Sequence, residues 1–251
     1  MLVAVIGSAG RLGKCFCKYF ANNKIPFLAV NRTDLDITNK KQVEVFFANN
    51  LQITHVVLCA AYTKVDLAEN DRNTCFAVNV NGVQNIVDNF SGKLIHFSTD
   101  FVFDGTKEEG YEVDDERHPI NVYGESKKAA EDVLMDSENV SWANLRISSL
   151  LDENSSFVQF LSDAVENEKT VTIWSTNKMI PTIATELVET VTKQFILADF
   201  KSGHYHLPSK NMAPLSWYDL AVLLFNPHKH LFVPVDEFKT TAKRPQFSVL
   251  N

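Results

Sequence analysis

The chain has 251 residues, 45% of them hydrophobic and 22% charged, which is enough apolar material to bury a sizeable core and is not the composition of a disordered chain. A formal net charge of −7 argues against general affinity for nucleic acid, which rests on lysine and arginine neutralising phosphates. No run approaches the roughly 20 apolar residues that cross a bilayer, so no membrane span is expected.

The first apolar run, Leu2 to Ile6, is too short for a helix, borders glycines and lacks a period-two pattern, which predicts a strand buried on both faces. It runs into Gly7-Ser8-Ala9-Gly10-Arg11-Leu12-Gly13, which opens a helix over 12–22. Glycines at this strand-to-helix turn let the backbone approach a dinucleotide pyrophosphate, and the unpaired N–H groups of the helix start can bind it. A tight turn without a ligand is the plainer reading. The second strand, Phe27 to Val30, is followed by Asn31-Arg32-Thr33, where dinucleotide folds that select NAD place an acid. With Arg32 available to pair with a 2′-phosphate, NADPH is favoured over NADH. An exposed loop arginine is the other reading, and Asp36-Ile37 could flank the adenine.

A helix over 40–49 leads to a third strand, His55 to Cys59, a helix over 71–90, and a fourth strand, Leu94 to Phe97, ending in His96-Phe97-Ser98-Thr99-Asp100. Carboxyl ends of parallel strands are where ligands bind, so the Ser98 or Thr99 hydroxyl can meet a substrate carbonyl there, or can merely cap the turn. A helix over 123–135 opens with Tyr123-Gly124-Glu125-Ser126-Lys127, a spacing that puts phenol and ammonium on one face. The pair suits ketone reduction: the phenol gives a proton to the carbonyl oxygen, and the ammonium lowers the tyrosine pKa. A fifth strand, Trp142 to Ile147, completes a βαβ alternation.

Beyond residue 150 the pattern loosens, with helices at 156–167, 184–198 and 216–225 and short strands at 171–174, 203–207 and 231–235. The expected architecture is α/β: a Rossmann doubly wound parallel sheet over 1–150 with a smaller C-terminal substrate lobe over 151–251, partly interleaved with it. Cys15, Cys17, Cys59 and Cys75 lack both zinc-site spacing and disulfide density and read as reduced, and Met1 leads into a strand without a basic leader, so a cytosolic (cytoplasmic) location is expected. The seven histidines show no metal-site pattern, His228 and His230 read as a solvated loop pair, and Trp174, Trp217 and Phe225 read as core.

Taken in order, several segments resemble the dTDP-4-dehydrorhamnose reductase, or RmlD-like, family of extended short-chain dehydrogenases/reductases. They are the glycine motif, Asp34-Leu35-Asp36-Ile37-Thr38, Ala60 to Glu69, Ser98 to Phe103, Pro119 to Lys127 and a final Arg244-Pro245-x-x-Ser248-x-Leu250-Asn251. The resemblance implies a nucleotide-linked 4-keto-6-deoxy sugar as substrate, most simply dTDP-4-dehydro-L-rhamnose. It implies Thr99, Tyr123 and Lys127 as the catalytic set, with Lys127 also on the nicotinamide ribose. Ala60, Ala61 and Tyr62 would lie along the cofactor with the loop residues Gly7, Gly10, Arg11, Leu12 and Gly13 and with Asn31. Val65, Asp100 and Phe101 would face the sugar, and Pro181-Thr182 and Arg244 would line the nucleotide end. Members are often homodimers.

Three departures matter. Ser149 stands where members commonly carry a tryptophan on the sugar nucleotide, and Met179 lies in an altered substrate segment. Lys14 and Cys15 stand where magnesium-holding members carry a glutamate, so no metal is expected. The family also resembles the methionine adenosyltransferase β subunit, so a non-catalytic NADP-binding regulatory subunit is the competing function.

Overall fold

Strands without a polar face need cover on both sides, and the chain supplies it. The computed structural model describes residues 1–237 and 239–251. In chain order the elements are β1 (Val3–Ile6), α1 (Arg11–Asn22), β2 (Phe27–Val30), α2 (Lys40–Asn49), β3 (His55–Leu58), α3 (Val65–Ala68), α4 (Arg72–Phe76), α5 (Gly82–Asn89), β4 (Lys93–Thr99), α6 (Val122–Met135) and β5 (Ser141–Ile147). The second half adds β6 (Leu150–Leu151), α7 (Ser156–Glu166), β7 (Val171–Trp174), β8 (Lys178–Met179), β9 (Thr182–Ile183), α8 (Ala184–Val191), β10 (Gly203–His206), α9 (Trp217–Leu224), β11 (Phe232–Val235) and β12 (Phe247–Ser248).

Six strands pair in parallel in the order β2-β1-β3-β4-β5-β10. The order of growth reverses between β1 and β3, so their carboxyl ends frame the switch-point crevice in which sheets of this class bind ligands. Alternate residues of β1 enter different cores. Ala4 and Ile6 join Val43, Phe47, Ile86 and Leu134 on one face, and Val3 and Val5 join Phe16, Phe20, Leu187 and Val191 on the other. Leu187 and Val191 belong to α8, so the chain after residue 183 returns to the sheet, and β10 then extends it beyond β5. The rest of the second half builds its own core from Leu161, Val171, Ile173, Ala221 and Phe232. Among the described residues no helix is long and apolar enough to cross a membrane.

The helix expected over 71–90 is not regular. A π turn over Ala77–Asn81 separates α4 from α5. It turns Asn79 inward, where its side chain accepts from Tyr62 N (2.8 Å) and donates to Tyr62 O (3.1 Å) and Ser126 Oγ (2.8 Å), tying the β3 loop to α6.

The α6 face of the sheet carries two polar rows. His96, Asn144 and His204 are register partners across β4, β5 and β10, and two residues further along each strand so are Ser98, Arg146 and His206. Glu131 of α6, fully buried, accepts from Arg146 Nε (3.1 Å) and Nη2 (2.8 Å) and from Arg117 Nη1 (3.1 Å). Burial alone would raise its pKa, but the Arg146 hydrogen bonds and charge outweigh that and hold it at about 2. Removing one partner of a buried pair strands the other charge. Arg146→Met is therefore expected to cost roughly 3 kcal/mol in urea unfolding, the lower end of the range for buried pairs because Arg117 remains, and Arg146→Met with Glu131→Met should recover part of the loss.

Candidate active site

Glycine is a steric requirement at two points of the β1–α1 turn. Gly7 has φ +86°, and a Cβ there would lie 2.6 Å from Ala60 N; a Cβ on Gly13 would lie 2.3 Å from Gly7 O. Gly10 caps α1 without any side chain over the helix end, so the first-turn N–H groups of this 12-residue helix remain available to an anion. Beside this cradle, a cavity of about 570 Å³ runs from Gly7 and Gly10 past Asn31 and Arg32 to Asp36 and Ile37, with Ala60, Ala61 and Tyr62 opposite. Its size and Cβ-free floor fit a dinucleotide. Arg32 stands at the rim with its side chain 80% exposed, Nη2 3.8 Å from Asp36 Oδ2.

The adjoining cavity, about 340 Å³, brings together Thr99, Asp100, Phe101, Tyr123 and Val65 with Gly10, Arg11 and Leu12. Tyr123 reaches it because α6 starts hard against the end of β4: a Cβ on Gly124 would sit 2.2 Å from Phe101 O. Asn121 caps that start, accepting from Gly124 N at 2.7 Å while donating to Lys243 O at 2.8 Å. The Phe101 and Tyr123 rings meet edge-on, with centroids 6.2 Å apart. Thr99 Oγ1 accepts from Phe101 N (3.2 Å) and donates to Asp100 Oδ1 (2.9 Å), so it caps the turn while also lining the cavity. Lys127 lies buried behind, its Nζ 2.9 Å from His96 Nε2. Burial pulls Lys127 down to about 8 against the opposing charge of Glu131. Tyr123 differs from expectation: burial and then the Asp100 charge raise its pKa, with the Thr99 hydroxyl working the other way.

A third cavity, about 300 Å³, continues past Arg11, Val65, Asp100 and Phe101 to Ser149, Met179 and Arg244, and shares Phe157, Trp174, Trp217 and Arg244 with an apolar hollow of about 720 Å³. Arg244 is held here by a bidentate pair with Asp66 (3.0 and 2.6 Å). Pro181 and Thr182 do not line this crevice. Thr182 is buried, its hydroxyl accepting from Ser148 N at 3.1 Å. Trp174 is a cavity wall rather than core, because its Nε1 donates to Thr176 Oγ1 (2.9 Å) and Asp236 O (3.1 Å) at the edge of the lobe. Trp217 serves both, packing tilted against Phe157 with centroids 4.4 Å apart. Sequence reasoning gave no role to Thr63, which touches all three crevice cavities, nor to Ser148, whose hydroxyl donates to Asp100 Oδ2 at 2.9 Å. It also gave none to His96, although a histidine inside the otherwise apolar run Leu94 to Phe97 of a buried strand was a signal to be read.

The family model described as the RmlD substrate binding domain matches residues 1–251, and the chain belongs to that family. A dTDP-4-dehydrorhamnose reductase of Aggregatibacter actinomycetemcomitans is 31% identical over 98% of this chain and 89% of its own length. A dTDP-4-keto-6-deoxy-D-glucose reductase of Streptomyces niveus is 29% identical over 98% of this chain and 87% of its own. Among solved structures, the dTDP-4-dehydrorhamnose reductase of Bacillus anthracis in complex with NADP superposes with a TM-score of 0.90 at 28% identity, covering 100% of this chain and 90% of that one.

Asp100 is the electrostatic oddity of the site. Its carboxyl is 3% exposed, and burial raises its pKa to about 6 even though the hydroxyls of Ser248, Ser148 and Thr99 favour the charge. A folded-state pKa above the unfolded value means that its stabilising share is complete below the unfolded pKa of about 4 and is lost as pH rises through about 6. Asp100→Asn has no such loss. Between pH 4 and pH 7 the stability of the wild type is expected to fall relative to Asp100→Asn by about 2 kcal/mol, read as the difference between their unfolding midpoints at each pH.

Proposed function

We propose that this chain reduces the C4 ketone of a nucleotide-linked 4-keto-6-deoxy sugar with NADPH, dTDP-4-dehydro-L-rhamnose being the simplest substrate. The observation that carries the proposal is a single crevice in which the glycine cradle, Thr99 with Tyr123, and an aromatic-walled pocket follow one another in the order that cofactor, ketone and nucleotide require. The relatives named above support the same chemistry over nearly the whole chain. Residues 1–150 then hold the dinucleotide, and the lobe drawn from 151–251 holds the sugar nucleotide, with α8 and β10 given back to the sheet. The four cysteines are free thiols, which agrees with work in the cytosol.

The dinucleotide would be held by Gly7, Gly10, Gly13 and the start of α1, with Arg32 at its 2′-phosphate and Asp36 and Ile37 beside the adenine. When bound, it supplies the hydride for the ketone carbon. Tyr123 supplies the proton. Its phenol is protonated at neutral pH, the state from which a reduction must start, and burial pushes its pKa further up. The Thr99 hydroxyl, turned from Asp100 Oδ1, donates to the developing oxyanion, and the Lys127 charge favours the phenolate left behind. Val65, Asp100 and Phe101 border the sugar, and Arg244 stands where a diphosphate can compete with Asp66 for its guanidinium.

The direct test is NADPH oxidation at 340 nm with dTDP-4-dehydro-L-rhamnose. Turnover is expected, and Tyr123→Phe should lower kcat by about 10²–10⁴ with NADPH affinity retained, the usual contribution of a general acid. Binding of NADPH with no turnover on any keto-sugar nucleotide would overturn the reductase reading in favour of a regulatory subunit. Arg32→Ala should reduce the NADPH-over-NADH preference in kcat/KM by about tenfold, the worth of one charge-assisted contact.

A further inference from the structure

Lys127 is 2% exposed, and among the described residues no carboxylate lies within salt-bridge distance of its ammonium, whose one hydrogen-bond partner is His96. An ammonium has three donors and no acceptor, so the His96 Nε2 that faces it at 2.9 Å must be bare, and the ring proton must be on Nδ1. Nδ1 lies 2.6 Å from Asn144 Oδ1, which accepts that proton. The Asn144 amide is thereby oriented with its Nδ2 toward His204 Nδ1, 2.8 Å away on the next strand. One donor of each group in the row finds an acceptor on the next, and the row follows the strand register across three strands from α6 to the sheet edge.

We propose that His96 is a positioning residue for the Lys127 ammonium, and that Asn144, backed by His204, selects the imidazole tautomer that makes the contact. A neutral acceptor suits this place. It fixes Nζ without neutralising it, so the charge stays available to the phenol and two N–H donors stay free for a ligand. A carboxylate at the same distance would hold the nitrogen more tightly but would cancel its field. The other titratable groups that act on the pair are Glu131 from α6 and Cys75 from α4, with His204 beyond Asn144. Burial, and then the neighbouring Lys127 charge, hold His96 neutral, with a pKa near 3.

The kinetic arm of the test rests on the reductase reading; the spectroscopic arm does not. In ¹⁵N-histidine NMR of the full chain, with His96 assigned by its disappearance in His96→Gln, the proton should be on Nδ1, Nε2 should be bare, and the ring should stay neutral down to pH 5. An Nε2–H tautomer, or titration near the ordinary histidine pKa, would overturn the proposal whether or not the protein turns over a sugar. In turnover, His96→Leu removes an acceptor from a charged donor. The alkaline limb of kcat/KM should then move down by about one pH unit, and activity at pH 8 should fall about fivefold. His96→Gln restores an oxygen at similar reach and should recover most of both. A folded His96→Leu with the wild-type pH profile would equally refute the role; if that variant does not fold, the tautomer and the His96→Gln profile still decide.

Discussion

A carboxylate with no exposed surface must keep its partners, and Glu131 therefore fixes more than its own position. Tyr123, Lys127 and Glu131 are spaced by four residues along α6 and form one stripe against the sheet. With Glu131 tied to Arg146 of β5 and to Arg117, the helix can neither roll nor slide without stranding a charge. Its amino end is fixed separately, by the Asn121 cap and by the contact of Gly124 with the Phe101 carbonyl. Between these two anchors the phenol and the ammonium have little freedom, which is what a site for proton transfer needs.

The same helix separates two electrostatic regions. On the crevice side, Asp100 and Tyr123 both resist ionisation because burial dominates. On the sheet side, ionised Glu131 and Arg146 lie among imidazoles that burial keeps neutral. Lys127 stands between them. Its pKa near 8 reflects burial acting against Glu131, and a second turn of the same helix thus tunes the lysine of the site.

What was legible in the sequence was what is local. The turn from Gly7 to Gly13, the Tyr123–Lys127 spacing and the apolar strand runs each declare themselves within a few residues, and the structure places them as expected. What was not legible depends on pairing between distant segments. Asp66 meets Arg244 across 178 residues, and Asn144 meets His204 across 60. Nothing near Trp174 in the sequence separates a core indole from a cavity wall, because the difference is made by Asp236, 62 residues away. The π turn at Ala77–Asn81 was hidden for a similar reason. Its regular apolar spacing reads as one helix, and only the need of Asn79 to reach both Tyr62 and Ser126 breaks the period.

The late position of β10 bears on how the protein is made. As the chain leaves the ribosome, β1 to β5 can pair as soon as they emerge, yet the outer edge of β5 stays open, with Asn144 and Arg146 on it, until the strand at Gly203–His206 appears some 60 residues later. During that interval the nascent sheet shows an unpaired strand edge to the cell, and a segment late in the sequence, not its beginning, ends the exposure.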